Sequence, residues 1–331
     1  MISADQISKA DDFVDDAARL FLLLEEQERR IQRIFLTAIK SLKDEIDLAD
    51  LSTLIAQGRI GDALARLTFA ADQLAAASNI AFITAGASAA EMITSAGLGL
   101  ISFDQVNLNA VAAMQRNRLA LIREFTNEQR RATSQAIISG VEGGINPVAQ
   151  ARNFRDSIGL TRNQWRHVAN YRAALERSAA DAEAAYDATN RKLRDARFDA
   201  NVARARRTGK PISAAKIDQM VERYADRYLK HRAKVIARTE ALRAVHQGNE
   251  ESYRQAIAEG VIREDQLTRT WRTSVDGRER DTHRALNGTD RAWGEAWETP
   301  NGQIKYPGDP DAPPEETIQC RCAILTRIKR N

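Results

Sequence analysis

The stretch WRTSVDGRERDTHRALNG (residues 271–288) and its companion IQCRC (residues 318–322) set the end of this 331-residue chain apart from the rest. Both cysteines of the chain lie in the second stretch. Three of its four tryptophans and five of its seven prolines fall at or beyond position 271. Prolines and glycines fix turns, and buried tryptophans supply core area. This composition predicts a small, turn-rich module at the carboxyl end.

Three β-like segments support that prediction. They cover residues 268–275, 303–306 and 320–328, and each is bounded by turn-forming residues. We therefore predict that residues 261–331 form an α+β module. Its core is expected to contain three tryptophans: Trp271, Trp293 and Trp297.

The rest of the chain has a helical pattern. Leu24, Ile31, Phe35 and Ile39 recur at steps that place them near one face of a long amphipathic helix. Residues 80–100, rich in alanine, glycine and serine, fit either a close-packed helix or a flexible connector.

Helix start signals divide the middle of the chain. Pro147 after Asn146 marks a short helix, and Thr161 with Gln164 forms a capping box that predicts a long helix to about residue 207. Ser213 is expected to cap a helix over residues 214–258. The predicted fold is mainly α: an elongated helical body with a small C-terminal α+β module. The predicted domains are an N-terminal helical region (1–100), a basic long-helix middle region (101–260) and the C-terminal module (261–331).

Charge is distributed unevenly. Residues 1–100 carry a net charge of −6, residues 101–250 of +11 and residues 251–331 of −1. A basic middle region can attract a polyanion such as DNA, or it can be the solvated face of arginine-rich helices. We find neither an apolar run of about 18 residues nor a secretion signal, so we expect no membrane span and synthesis in the cytoplasm.

The two thiols suggest a metal site. In a strand, residues i and i+2 lie about 6.5–7 Å apart, so a Cys320–Cys322 disulfide would be strained. Zinc favours cysteine and histidine ligands. His283 is the one histidine of the module, and Asp276 could supply an oxygen ligand. The alternative is that the cysteines are small buried hydrophobic residues and that His283 makes a structural hydrogen bond.

An acidic and basic cluster surrounds the histidine. Asp276, Arg278, Arg280 and His283 could serve hydrolysis, with the histidine as base and an arginine binding phosphate. A network of salt bridges and hydrogen bonds that holds a loop-rich fold together explains the same residues. We predict the structural role and no catalytic residue.

These motifs together resemble a known family. The order W-x-T-x-x-D-x-R-x-R-x-x-H-x-x-L-x-G (from Trp271), then Y-P-G-D-P (306–310), then I-Q-C-R-C is similar to the C-terminal domain of phage Mu protein F-like head morphogenesis proteins. The upstream R-T-E of Arg238 and Glu240 resembles the motif that precedes this domain. Residues 144–161 are similar to the family's middle region.

The resemblance implies a non-enzymatic minor capsid protein of a tailed phage or prophage. Such a protein resides in the virion, in the capsid interior or at the portal vertex, in several copies per particle. It acts in head assembly with the portal protein, a scaffold or the major capsid protein, and phage DNA is a further candidate partner. The structural network is expected to comprise Arg238, Glu240, Trp271, Asp276, Arg278, Arg280 and His283, and a structural zinc ion, if present, to be held by His283, Cys320, Cys322 and Asp276.

Two rival functions stay open at this point. One is an internal DNA-binding virion protein that is ejected with the genome, in which arginines of the basic middle region neutralise phosphates. The other is a nuclease or toxin-like hydrolase centred on His283 and Arg278.

Overall fold

The computed structural model describes residues 4–66 and 71–329 of the chain. Within these residues it contains twelve α-helices and five short β-strands, which confirms a mainly α protein with a small C-terminal α+β module. The helices are α1 (Ala4–Asp44), α2 (Leu48–Ala56), α3 (Ile60–Ala65), α4 (Ala71–Ser95), α5 (Leu108–Glu142), α6 (Pro147–Ser157), α7 (Arg162–Arg177), α8 (Ala182–Thr189), α9 (Asp199–Thr208), α10 (Ala214–Ala258), α11 (Asp281–Leu286) and α12 (Pro314–Thr317). The strands are β1 (Leu267–Thr273), β2 (Asp290–Ala292), β3 (Trp297–Thr299), β4 (Gly302–Ile304) and β5 (Cys322–Ile328).

The chain divides into two compact units that do not follow the three consecutive regions of the sequence prediction. The first unit comprises the described residues of Met1–Ile34, Asp72–Ala120 and Lys234–Asn331, and the second those of Phe35–Ala71 and Leu121–Ala233. Helices α1, α5 and α10 each contribute residues to both units. The C-terminal module therefore belongs to the same unit as parts of the long helices.

Two small antiparallel sheets organise the first unit. One has the strand order β2-β1-β5, with Trp271 opposite Ile324 and Thr273 opposite Cys322, and the other pairs β3 with β4. Trp271 of β1 and Trp297 of β3 are fully buried, as predicted, while Trp293 is half-buried. The core continues beyond the module through residues of α1, α4 and α10: Leu24, Ala85, Leu242 and Val245.

Helix α4 settles the open question about residues 80–100. The helix extends to Ser95, and six of its alanines are buried: Ala75, Ala77, Ala81, Ala85, Ala89 and Ala90. A side chain at Gly248 of α10 would lie 2.1 Å from the carbonyl oxygen of Phe82. The small residues therefore allow α4 and α10 to pack backbone against backbone.

Helix caps organise the second unit. The side chain of Asn146 accepts a hydrogen bond from the amide of Val148 (2.8 Å), and Thr161 and Gln164 form the predicted capping box. Gly159 adopts a left-handed φ of 85°, and its carbonyl oxygen accepts a hydrogen bond from the buried Arg232 (2.8 Å). These contacts fix the turn between α6 and α7.

The prediction of one long helix from residue 161 to about 207 is wrong. The chain forms α7, α8 and α9 instead, with a short 3₁₀ turn before α9. The Asp181 carboxylate accepts hydrogen bonds from the amides of Glu183 and Ala184 and starts α8 afresh. Asp195 likewise caps the 3₁₀ turn. Aspartates compete with the helical backbone in this way, and alanine-rich flanks do not prevent it.

Many arginines of the basic middle region pair with acids. Buried Asp195 lies within 4 Å of three arginines, and Arg172 pairs with Asp218 at 2.7 Å. Hydrogen bonding and the charge of Arg197 keep the pKa of Asp195 far below its usual value, although desolvation opposes this. No helix among the described residues has the length and apolar character that crossing a membrane requires.

Candidate functional site: the His–Cys–Cys cluster

Local turns bring His283 and the two cysteines together. His283 lies on the short helix α11, Cys322 begins β5, and Cys320 precedes it by two residues. Gln319 adopts a left-handed φ of 56°, which turns the chain sharply between α12 and Cys320. All three side chains of the cluster are about 1% exposed.

One ring nitrogen of His283 contacts both sulfurs. Nδ1 lies 3.3 Å from Sγ of Cys320 and 3.5 Å from Sγ of Cys322. The three candidate ligand atoms all lie within 4.8 Å of one another. Strand β5 begins at Cys322 and not at residue 320 as predicted, so the two cysteines are not alternate residues of one regular strand.

The other ring nitrogen meets a carboxylate that the sequence interpretation missed. Nε2 of His283 lies 2.6 Å from Oε2 of Glu316, which is fully buried on α12. The side-chain amide of Asn301 donates to the second oxygen of this carboxylate at 2.8 Å. Glu316 stands in the run PPEE beside the exposed Glu315, and no local pattern distinguishes the two residues.

Burial and charge shift the protonation of the cluster. Burial alone would lower the pKa of His283, but hydrogen bonds to Cys320 and Glu316 and their negative charge raise it. Burial opposes ionisation of Cys320, while hydrogen bonds from Cys322 and His283 lower its pKa. The hydrogen bond with Cys320 and then burial raise the pKa of Cys322. Of the two thiols, Cys320 is therefore the one that ionises more readily.

Aromatic side chains enclose the cluster. The ring of Trp271 meets that of His283 edge to face at 5.2 Å between centroids, and Trp297 packs against Trp271 at 5.4 Å. The indole N–H of Trp297 donates to Thr289 at 2.9 Å. His283 is thus packed against apolar ring surface, where polar contacts are stronger than in water.

The predicted acid–arginine residues lie at a separate place. The carboxylate of Asp276 pairs with Arg321 and, at 2.9 Å, with Arg278, whose side chain is exposed. Arg280 donates to the carbonyl oxygen of Ile318. Asp276 is not part of the three-residue cluster, and the carboxylate that contacts His283 is that of Glu316, at Nε2. Arg278 and Asp276 form a loop network that does not include His283.

The R-T-E motif lies on α10 and supports the same region. Arg238 makes a two-pronged ion pair with Glu28 of α1, with N–O distances of 2.8–3.1 Å. Thr239 accepts a hydrogen bond from the amide of Gln319 (3.2 Å), the strained residue before Cys320. Glu240 pairs with Arg243 at 3.2 Å. The motif thus ties α10 to α1 and to the turn that presents the thiols.

The Y-P-G-D-P motif forms a second contact with α10. A side chain at Gly308 would lie 2.7 Å from the amide nitrogen of Arg243. The Asp309 carboxylate accepts hydrogen bonds from the amides of Lys305 and Asp311, both at 3.0 Å. The aspartate therefore holds the turn that presents Gly308 to the helix.

His246 links α10 to β5 and was missed by the sequence interpretation. Its Nδ1–H donates to the carbonyl oxygen of Leu242 (2.9 Å), and its Nε2 accepts from the amide of Ile324 (3.1 Å). Burial lowers its pKa to about 4, so the ring is neutral at pH 7. Arg269 is also buried and lies over the rings of Trp293 and Trp297.

This geometry limits the chemistry that the cluster can perform. Both ring nitrogens of His283 have partners, and Arg278 does not face the ring, so a base with a phosphate-binding arginine is not assembled here. A buried thiolate is a poor nucleophile for a large substrate because the substrate cannot reach it. Convergence of two sulfurs and a nitrogen is instead the arrangement that a soft cation favours.

A comparison with family models identifies the region. Residues 196–325 match the family described as Phage Mu protein F like protein. This region is Mu F-like. The Mu F-like range contains α9, α10, both sheets and the His–Cys–Cys cluster, and its family is one of phage head morphogenesis. Searches of curated proteins and of solved structures give no match.

Proposed function

We propose that this chain is a minor, non-enzymatic structural protein of a phage or prophage head that acts during head assembly at or near the portal vertex. The observation that carries the proposal is the Mu F-like match over residues 196–325. Its partners would be the portal protein, a scaffold or the major capsid protein. It would be made in the host cytoplasm and retained in the virion in several copies.

Two features of the Mu F-like region agree with a structural role. Its motif residues are used in contacts that hold the fold: Arg238 pairs with Glu28, Asp276 with Arg321, and Gly308 packs against α10. The pairs join segments that are distant in sequence. Residues in such contacts stabilise the fold, and through it a surface for partners, and this role involves no substrate.

Deleting the gene in the encoding phage or prophage tests the proposal. We expect fewer complete heads by electron microscopy and recovery when the full chain is supplied from a plasmid. As a matched pair, Arg238→Gln should impair recovery through a weakened fold, while a substitution of the exposed His231 should restore heads fully. Normal numbers of infectious particles in the deletion strain would overturn the proposal.

DNA contact is the second candidate function, and one observation favours it. Residues 101–250 carry a surplus of eleven positive charges, and two of their arginines, Arg118 and Arg238, pair with acids outside this range. DNA binding through this surplus would weaken steeply with salt, because each neutralised phosphate releases counterions. Affinity for duplex DNA measured from low to physiological salt tests it, and salt-independent or absent binding removes this function.

A further inference from the structure

We propose that His283, Cys320 and Cys322 bind one zinc ion, with Glu316 as the residue that orients the histidine. This inference concerns the inside of the C-terminal module and does not depend on the proposed role in phage heads. It rests on the distances among the ligand atoms, their burial and the hydrogen bonds behind them.

The distances fit a tetrahedral ion. With Zn–S bonds of about 2.3 Å and Zn–N bonds of about 2.0–2.1 Å, neighbouring sulfur and nitrogen ligands lie about 3.5–3.6 Å apart. The corresponding separations from Nδ1 of His283 are 3.3 Å to Cys320 and 3.5 Å to Cys322. The two nitrogen–sulfur separations thus match those around a tetrahedral zinc ion to within a few tenths of an ångström.

The alternative to a metal is a chain of hydrogen bonds, in which Cys320 accepts from Cys322 and from His283. Nδ1 has a single in-plane lone pair or proton, so it serves one sulfur well and not two. Cys320 and Cys322 are both free cysteines, so no disulfide joins these sulfurs. A cation at the centre gives both sulfurs and the nitrogen a partner at once.

The surroundings of His283 complete the arrangement found around ligating histidines. A ligating ring commonly donates its second N–H to a carboxylate, which fixes the tautomer and the ring orientation. Glu316 accepts at Nε2 at 2.6 Å, and Asn301 holds Glu316 in turn. These two contacts leave Nδ1 as the free ligand atom, facing the sulfurs.

The fourth coordination position is assigned to water. Zinc takes four ligands, and three come from the cluster. Cys320 and Cys322 also line a pocket of about 520 Å³ together with residues of α1 and α10, including Leu24 and Leu242. Water in this pocket can reach the sulfur side of the site.

Zinc is favoured over the harder ions magnesium and calcium. Two thiolates with an imidazole suit zinc, whereas magnesium and calcium require oxygen ligands. Two thiolates balance the double charge of the ion, which reduces the cost of burying it among Trp271 and Trp297. The ion would connect α11 to the turn before β5. His283 is 37 residues from Cys320 and 39 residues from Cys322 in the sequence.

Metal analysis of the purified full chain tests the proposal. We expect about one zinc ion per chain by mass spectrometry of the elements, with near-complete loss in Cys320→Ser and Cys322→Ser. The exposed His231→Asn, on α10, serves as the matched histidine control and should keep its zinc. Glu316→Gln should bind zinc about 10–100-fold more weakly, because a neutral amide oxygen is a weaker acceptor behind the ligand than a carboxylate.

A second measurement covers variants that fail to fold. Removing metal from the wild-type protein with a chelator should lower its melting temperature, and adding zinc should restore it. Wild-type protein that contains no zinc and melts at the same temperature with and without chelator would overturn the proposal. Another metal bound at one equivalent would overturn its assignment to zinc.

Discussion

Gly308 offers the sharpest test of how the Mu F-like region packs. The residue adopts a left-handed φ of 84°, and a methyl group there would lie 2.7 Å from the Arg243 amide nitrogen and 3.0 Å from its Cα. Both atoms belong to the backbone of α10, which cannot rotate away as a side chain would. Gly308→Ala should therefore combine backbone strain with a steric clash.

The structure provides a control that separates these two contributions. Gly294 has a similar φ of 83°, but a methyl group there meets nothing within 4 Å. Left-handed strain costs an alanine about 1–2 kcal/mol, which is the expected loss for Gly294→Ala. Overpacking against a fixed backbone adds about 1–3 kcal/mol, so Gly308→Ala should lose about 2–5 kcal/mol.

Equilibrium unfolding in urea measures the difference. The urea concentration at the midpoint should be highest for the wild type, lower for Gly294→Ala and lowest for Gly308→Ala. The dependence of the unfolding free energy on urea should be unchanged. Equal destabilisation by both substitutions would refute the close contact between this turn and α10. Spectroscopy of the folded variants confirms that the comparison is between native states.

Three further predictions concern the first unit. Burial lowers the pKa of His246 to about 4 from an ordinary 6.5. The stabilisation by the neutral ring is therefore complete above about pH 6.5, and about 3 kcal/mol of the free energy of unfolding is lost as the pH falls towards 4. In acid unfolding, His246→Gln should remove this loss and His231→Gln should retain it. A double-mutant cycle on Arg238→Gln and Glu28→Gln should give a coupling of about 1–3 kcal/mol, since both side chains are largely buried, and additive effects would refute the pair. Trp297→Ala should cost about 3–5 kcal/mol by thermal unfolding, and a loss below 1 kcal/mol would contradict its place in the core.

Local signals in the sequence predicted much of the helical structure. The helix after Ser213 spans the predicted residues 214–258, and the capping box at Thr161 is present. Such features depend on residues a few positions apart, so the sequence displays them directly. Asp181 shows where local signals fail, because an aspartate can either start a helix or lie within one. Hydrogen bonds from the following amides to its carboxylate make it a helix start here.

Contacts between distant residues were harder to predict. Cys320, Cys322 and His283 were named together because zinc chemistry connects these residue types. Glu316 was missed because its partner lies 33 positions away and its neighbour Glu315 has the same chemistry. Asp276 was expected near His283, but Arg321 and Arg278 hold its carboxylate in the loop. The left-handed turn at Gln319 also has no sequence signal, since glycine usually takes that conformation.

The division into two units has the same origin. Boundaries between the units fall within the long helices α1, α5 and α10, so no change in composition marks them. The basic residues 101–250 are continuous in the sequence but belong to both units, because unit boundaries follow Ala120 and precede Lys234. A charge map of the sequence therefore cannot replace a map of contacts.

Absolute quantification of this chain in purified phage particles tests the central claim most directly. A head protein of this kind should persist through density-gradient purification and nuclease treatment at a fixed, low number of copies relative to the major capsid protein. The same ratio should appear in immature heads that lack DNA. Absence from both kinds of particle, with the chain found only free in the lysate, would contradict the account.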